Sequence, residues 1–483
     1  MQESSQHTGH MSASPFDAVG AFTSHIAHAR FEDLPAEAVA KAKTFLLDTI
    51  GVGLAGTSDG NAARVLAAAA QWGTGTEATV WGSGTCLPAP SAAFVNAYLV
   101  HSLEYDCIHE AAVVHPMATL LSTLFAWSER ASKRGRPVDG RRFLTAMSVG
   151  VDMAGLLGAA TKSGLRFFRP ATAGGFGAAA GLASVAGFDE PRVKDALGLQ
   201  FAQASGTMQA HVEGTSTLGL QIGFNARAAI NAVDAAEAGL AGPHDFLTGP
   251  FGYFQLFENG SFEAAVIERE LGRVPQITRI SHKPYPSGRL THGGVDGVRR
   301  LADTHGFTPD AVAEITIHVP PLVMELVGRP DIPNPTSNYA KLCLPFVIGT
   351  YLARGQVDVP DFASPQTRDD PAVHALASRV RVMLDDSPDQ NAIAPQRIVV
   401  RLKDGAEHAI TIRAIYGHPD AALTEAENLD KFTRNCSYAR SPVAPELQDQ
   451  LIALIADWEK VEDVALLPRL LATPTASSNQ KKD

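Results

Sequence analysis

The stretch HSLEYDCIHEAAVVHP, residues 101–116, places three histidines, two glutamates, an aspartate and a cysteine in sixteen positions. Three chemistries are open to such a cluster. A metal helix wants two ligands one turn apart, as in H-E-x-x-H. His101 and His109 are instead eight residues apart, about 80° around a helix, and His115 follows a stretch with no helical pattern. The spacing is not that of a metal site, and none is expected. Acid/base work asks for less geometry, because histidine titrates near neutral pH and a neighbouring carboxylate orients the ring or shares its proton. Glu104, Asp106, His109 and His115 offer several such pairs. The plain alternative is a set of polar groups that cap a helix and bond one another, with His115 before Pro116 capping the next helix. The segment alone leaves acid/base and structural readings open.

The elements that must position these residues are mostly helical. From about Phe16 to Glu270 apolar residues recur at helical spacing. In LPAEAVAKAKTFLLDTIGVGLAG (34–56), Pro35 marks a helix entry, and Val39, Ala42, Phe45, Leu46 and Ile50 share one face. Further helical segments follow near 61–72, 90–105, 116–133, 141–160, 172–187, 191–206 and 217–240. After Arg273 the pattern changes. TRISHKPYPSGRLTHGG (278–294) is turn-rich, AEITIHVPP (313–321) alternates like a strand, and a helix is expected near 338–353. RIVVRLKDGAEHAITIRA (397–414) reads as a hairpin about Asp404-Gly405. The fold class is therefore mainly α: a large all-α helical core domain at 15–274, a smaller α+β lid domain at 275–416, and a return to the helical domain at 417–472. The tails 1–14 and 473–483 read as disordered.

At 483 residues the chain exceeds what one core normally serves, which agrees with two domains. The balance of 51 acidic against 40 basic residues provides no basic field, so nucleic acid and an anionic membrane surface are not expected partners. A small anionic substrate needs only a local cationic pocket. The polar start MQESSQHTGHMSASP has no apolar signal core, and Cys86, Cys107, Cys343 and Cys436 are far apart, so a cytoplasmic location is expected. The apolar run ATAGGFGAAAGLASVAGF (171–188) is rich in Ala and Gly, which suits a buried helix with close neighbours better than a bilayer span. Its GGFGAAAG portion lacks both the spacing of a dinucleotide loop and a preceding strand.

The segment 101–116 resembles the signature of the MmgE/PrpD family, whose members are dehydratases, decarboxylases and epimerases of small carboxylic acids. The family pattern runs His, small, Leu, Asp, aromatic, Asp, Asp, Thr, His, five residues, His-Pro. This chain has His101, Ser102, Leu103, Glu104, Tyr105, Asp106, Cys107, Ile108, His109, five residues, His115-Pro116. Residues 34–56, ATVWGSG (78–84), HKPYPSGRLTH (282–292) and IYGHPDAALTEAENLDKF (415–432) are similar to further family stretches in the same order. The resemblance implies a site between helical core and lid, a homodimer, and proton transfer beside a carboxylate or carbonyl without metal or organic cofactor.

On that resemblance His115 is the expected acid/base, Glu104 or Asp106 its orienting carboxylate, and Lys283 the cation that binds the substrate carboxylate. His109, Arg169 and His292 are further expected substrate contacts. Glu104 stands where the family has an aspartate, the same charge on a longer arm, and at four positions an apolar residue replaces a polar one. Ile108 replaces a threonine, Phe168 a histidine, Leu218 a lysine and Phe346 an aromatic hydroxyl. An uncompensated buried charge is costly. The expectation is therefore a lyase for a less charged, more apolar carboxylic acid than aconitate or methylcitrate. An isomerase or epimerase using the same proton abstraction is the first alternative, and a non-catalytic family member the second.

Overall fold

A computed structural model describes residues 16–472. The tails read as disordered, 1–14 and 473–483, lie outside the described residues. The first half is built from the helices Ala18–His28, Ala36–Gly56, Ala89–His101, Pro116–Lys133, Gly140–Ala160, Arg169–Ala186, Glu190–Phe201 and Thr217–Glu237. Helix Ala36–Gly56 begins directly after Pro35 and buries Ala42, Phe45, Leu46 and Ile50. Full burial of side chains the size of Phe45, Leu46 and Ile50 contributes about 1.5–3 kcal/mol each. Two strand pairs of two residues each interrupt the helical pattern. Ala78–Thr79 pairs with Cys86–Leu87, and Ile108–His109 with Ile280–Ser281, both antiparallel.

The Ala/Gly-rich helix Arg169–Ala186 lies against helix Gly140–Ala160 so closely that a Cβ on Gly177 would fall 2.5 Å from the carbonyl oxygen of Gly150. Helix Gly140–Ala160 has the length and hydropathy to cross a membrane, but 94% of its apolar window is buried within the protein.

The lid carries a four-stranded sheet in the order Val380–Leu384, Val312–Val319, Gln396–Leu402, Glu407–Ile412. The strands at 312–319 and 396–402 and the hairpin turn at Gly405, with φ +91°, fall where the alternation places them. Strand Val380–Leu384 carries only a brief Val-Arg-Val alternation and pairs in parallel with Val312–Val319. Helix His292–His305 covers the sheet, and a Cβ on Gly297 would meet Ile398 at 2.6 Å. The chain then returns: helix Glu425–Tyr438 packs on helix Ala36–Gly56 and closes a buried Lys431–Asp48 ion pair of 2.7 Å.

Among the described residues two large hydrophobic cores result, one in the helical domain and one in the lid, with a small third cluster of Val52, Ala55, Leu103, Tyr105 and Val359. Val113 and Leu165 of the helical domain join the lid core, and Met208 touches both, so the domains meet along an apolar seam. The close approach at Gly177 is testable. Gly177→Ala should lower stability by about 1–3 kcal/mol, the usual cost of overpacking, read as a fall in the urea midpoint. An unchanged midpoint would mean that the helices do not meet this closely.

Candidate active site

The pattern-based helix at 90–105 ends in the structure at His101. It stops because the chain turns sharply: Glu104 adopts φ +52°, the left-handed region that costs a residue with a Cβ about 1 kcal/mol or more. Three buried lysines hold this turn by its carbonyls. Lys341 donates to Ser102 O at 3.0 Å, Lys283 to Glu104 O at 3.1 Å, and Lys431 to Tyr105 O at 3.1 Å. Lys283 also donates to Glu104 Oε2 at 3.0 Å. It reaches that carboxylate because strand Ile280–Ser281 pairs with Ile108–His109 just after the turn.

Beyond the strand pair the backbone turns through Val113, φ +51°, to His115, and Pro116 opens the next helix. His115 occupies the capping position of that helix but its side chain makes no capping bond. Its Nδ1 lies 3.0 Å from the Cys107 carbonyl and 3.4 Å from Asp106 Oδ2. Both groups only accept, so Nδ1 carries the proton and Nε2 is the free nitrogen. Asp106 also takes His101 Nδ1 at 3.0 Å. His101 Nε2 has no hydrogen-bond partner and stands 3.5 Å from Glu104 Oε1. The two imidazole rings meet edge to face, centroids 5.0 Å apart.

Burial and charge set the two histidines apart. For His115 burial is the larger effect and lowers the pKa below the usual 6.5, although Asp106 opposes it. For His101 burial also works against the charge, but Asp106 and Glu104 together outweigh it and raise the pKa. Burial alone would raise Glu104, yet Lys283 and both histidines bring it down to about 2. Asp106 is held well below the carboxylate range against its own burial, chiefly by His101 and then His115. A histidine with a depressed pKa and one with a raised pKa thus stand side by side, an arrangement suited to acid/base chemistry.

These groups face a small cavity of about 50 Å³ at the domain seam, space for a few waters. His101, Glu104, His115 and His211 are its titratable side chains apart from Arg289, and the rest of the lining is mainly apolar. Of the residues expected from sequence, His115, Glu104, Phe168 and Leu218 line it, as does Ile108. Asp106 and Lys283 are fully buried behind the lining, bonded to the histidines and to Glu104.

Four expected contacts lie elsewhere. His109 bonds Gln276 Oε1 at 3.0 Å and accepts from the Ala112 amide. Arg169 is committed to a buried ion pair with Glu258 at 3.2 Å and to the carbonyls of Ala112 and Ser163. His292 sits within the lid, its Nε2 3.2 Å from Ser287 O. Phe346 packs in the lid core against Phe362 and His374.

Three titratable lining residues were given no role in the sequence reading. His101 entered it as half of a poorly spaced metal pair and as the first residue of the family signature. His211 has no local pattern to mark it; Arg329 lies at 3.1 Å, and burial together with that arginine lowers its pKa to about 4. Arg289, within HKPYPSGRLTH, spends its donors on Glu110 and on the carbonyls of His282, Ile415 and Tyr416. Among the described residues His101, Asp106 and His115 bring donor atoms within 4.8 Å of one another, close enough to hold a metal ion. As they stand, His101 Nδ1 is hydrogen-bonded to Asp106 and His115 Nδ1 to the Cys107 carbonyl, which leaves the Nε2 atoms as the free ring nitrogens.

Comparison with known proteins agrees with this architecture. The MmgE/PrpD N-terminal domain matches residues 20–265 and the MmgE/PrpD C-terminal domain residues 285–460. The chain is 27% identical over 457 residues to a cis-aconitate decarboxylase of Mus musculus, covering 92% of this chain and 91% of that protein. It is 28% identical over 454 residues to the Homo sapiens cis-aconitate decarboxylase, covering 90% and 91%. It is 26% identical over 468 residues to the cis-aconitate decarboxylase-like protein oryM of Aspergillus oryzae, covering 91% and 94%. With both domain matches in order along most of its length, the chain belongs to the MmgE/PrpD family.

Proposed function

We propose that this protein is a cofactor-independent lyase, of dehydratase or decarboxylase type, acting on a small carboxylic acid with a substantial apolar part. Family membership and the relatives named as decarboxylases support the lyase type. The observation that carries the finer reading is the pairing of His101 and His115 on one carboxylate, Asp106, at the wall of an otherwise apolar cavity.

In this reading His115 Nε2 is the base. For an elimination it takes the proton from the carbon beside the carboxylate or carbonyl, the electron pair forms the new double bond, and His101 protonates the departing hydroxide to water. For a decarboxylation the carboxylate leaves as carbon dioxide, and the electron pair left on carbon takes a proton from the acid form of His115. Lys283 acts through Glu104, fixing its charge and direction. The cavity holds only a few waters, so substrate entry requires the lid to shift, and closure excludes water from the reacting carbon.

Charge counting favours a substrate with few carboxylates. Glu104 and Asp106 are balanced by Lys283 and a protonated His101, and Arg289 is already committed. The acid form of His115, which the decarboxylation uses, adds one compensating charge, enough for one carboxylate; in the elimination that charge develops as His115 takes the proton. Three of the four apolar departures from the family pattern, Ile108, Phe168 and Leu218, line the cavity and supply no cation. Phe346 does not line it and has no bearing on this choice. A homodimer in the cytoplasm is part of the same proposal, by family resemblance. An epimerase would need a second base on the opposite face of the substrate; His101 and His115 share one carboxylate, which favours the lyase.

Three outcomes test this reading. Proton NMR of a panel of small carboxylic acids in deuterated water should show loss of water or carbon dioxide, and His115→Ala should slow it about 10²–10⁴-fold. Deuterium uptake without a new product would replace the lyase by an epimerase or isomerase. For the elimination the pH profile of kcat/KM should be bell-shaped. Its acid limb lies below 6.5, where His115 becomes protonated, and its alkaline limb above 6.5, where His101 loses its proton. A profile that rises monotonically through neutral pH would remove His101 from the role of acid. Finally, Phe168→His with Leu218→Lys should raise turnover of cis-aconitate relative to monocarboxylates at least about tenfold, the worth of one compensated charge interaction of about 1.4 kcal/mol. An unchanged preference would mean that the apolar lining does not select the substrate.

A further inference from the structure

A second cavity, about 330 Å³, lies across the Ser102–Glu104 turn from the first. Leu103 faces it, whereas His101 and Glu104 face the acid/base cavity. One wall comes from the helical domain, at Ser58–Arg64, and the other from the lid, at Thr336–Lys341 and Val359–Arg368. Three cationic side chains line it, Arg64, Lys341 and Arg368, against a single carboxylate, Asp59.

Asp59 is itself engaged, accepting from Tyr98 OH at 2.7 Å and from the Asn61 amide at 2.9 Å. Among the described residues none of the three cations has a carboxylate within 4.0 Å. Arg64 donates to Asn61 Oδ1, and Arg368 to the carbonyls of Pro335 and Phe362. Lys341 is 2% exposed and has one hydrogen bond, to Ser102 O. The contrast with the other two lysines of the turn is sharp, since Lys283 and Lys431 each meet a carboxylate, at 3.0 and 2.7 Å. A buried ammonium normally has such a counter-charge.

We propose that this interdomain cleft binds a small dianion, a dicarboxylate or a phosphate, and that the bound anion clamps the lid to the helical domain. The net charge of the lining, three positive against one negative, calls for two negative charges. The hydroxyl of Ser337 in the same lining adds a neutral donor, whereas Ser58 spends its own on the Ala55 carbonyl. Because Lys341 also holds Ser102 O, the anion acts on the turn that carries His101 and Glu104, so the cleft is a place where a metabolite adjusts the neighbouring site.

The test is thermal denaturation of the full chain with inorganic phosphate or succinate, at ionic strength matched with sodium chloride. Binding to the folded state raises the melting temperature in a saturable way. At least one anion should do so for the wild type and for His115→Ala. Arg64→Gln, whose contact in the fold is a neighbouring asparagine, should weaken the apparent affinity at least about tenfold, and adding Ser337→Asp should abolish the effect. Response to phosphate alone assigns the site to phosphates, and response to succinate alone to dicarboxylates. In either case hydrogen exchange should slow in both 58–64 and 336–368. Absence of any rise, equal rises in the Arg64 variants, loss in His115→Ala, or protection confined to one wall would overturn the proposal.

Discussion

Everything at this site hangs on a few backbone carbonyls. Three lysines, from the start of the lid, from deeper in the lid and from the returning C-terminal helix, reach in and donate to the oxygens of Ser102, Glu104 and Tyr105. Carbonyls at a helix end have no partner within the helix and must find one elsewhere. Here the partners are charged, buried and drawn from three separate parts of the chain. The bonds that shape the left-handed turn at Glu104 therefore also join the two domains. Catalytic geometry and domain assembly are one problem in this protein, and neither is solved without the other.

The same economy governs the histidines. One carboxylate, Asp106, serves both rings, yet their proton affinities move in opposite directions. The difference comes from what else each ring sees. His101 has the Glu104 carboxylate on its far side, which tips the balance toward the charged form. His115 is left with burial and the nearby Lys283 charge, which favour the neutral one. A single substitution at Glu104 would disturb His101 more than His115.

Local periodicity was enough to locate the long helices, the strand at 312–319 and the hairpin at 396–412, because each carries its own apolar rhythm. The short strand Val380–Leu384 went unseen, since its parallel partner lies some sixty residues earlier and supplies the reason for it. The end of the helix at His101 was misplaced for a related cause: the lysines that stop it come from residues 283, 341 and 431. At the site, Glu104 and His115 were legible from one dense segment. His109, Arg169 and His292 have the right chemistry, but Gln276, Glu258 and Ser287 claim them in the structure, and no local pattern announces those partners. His211 reaches the cavity through tertiary packing alone.

The two-residue ladder between Ile108–His109 and Ile280–Ser281 has a mechanical meaning. Immediately after it, the His282 amide bonds the carbonyl of Gly417, so the outgoing and returning strands of the lid are stitched together at its root. The ladder anchors the residues just before Lys283 to the helical domain, and Lys283 itself bonds Glu104, so the charge beside Glu104 is fixed at the root of the lid, while the lid residues that line the cavity are mostly apolar. A molecule reaching this cavity would meet an electrostatic field already set.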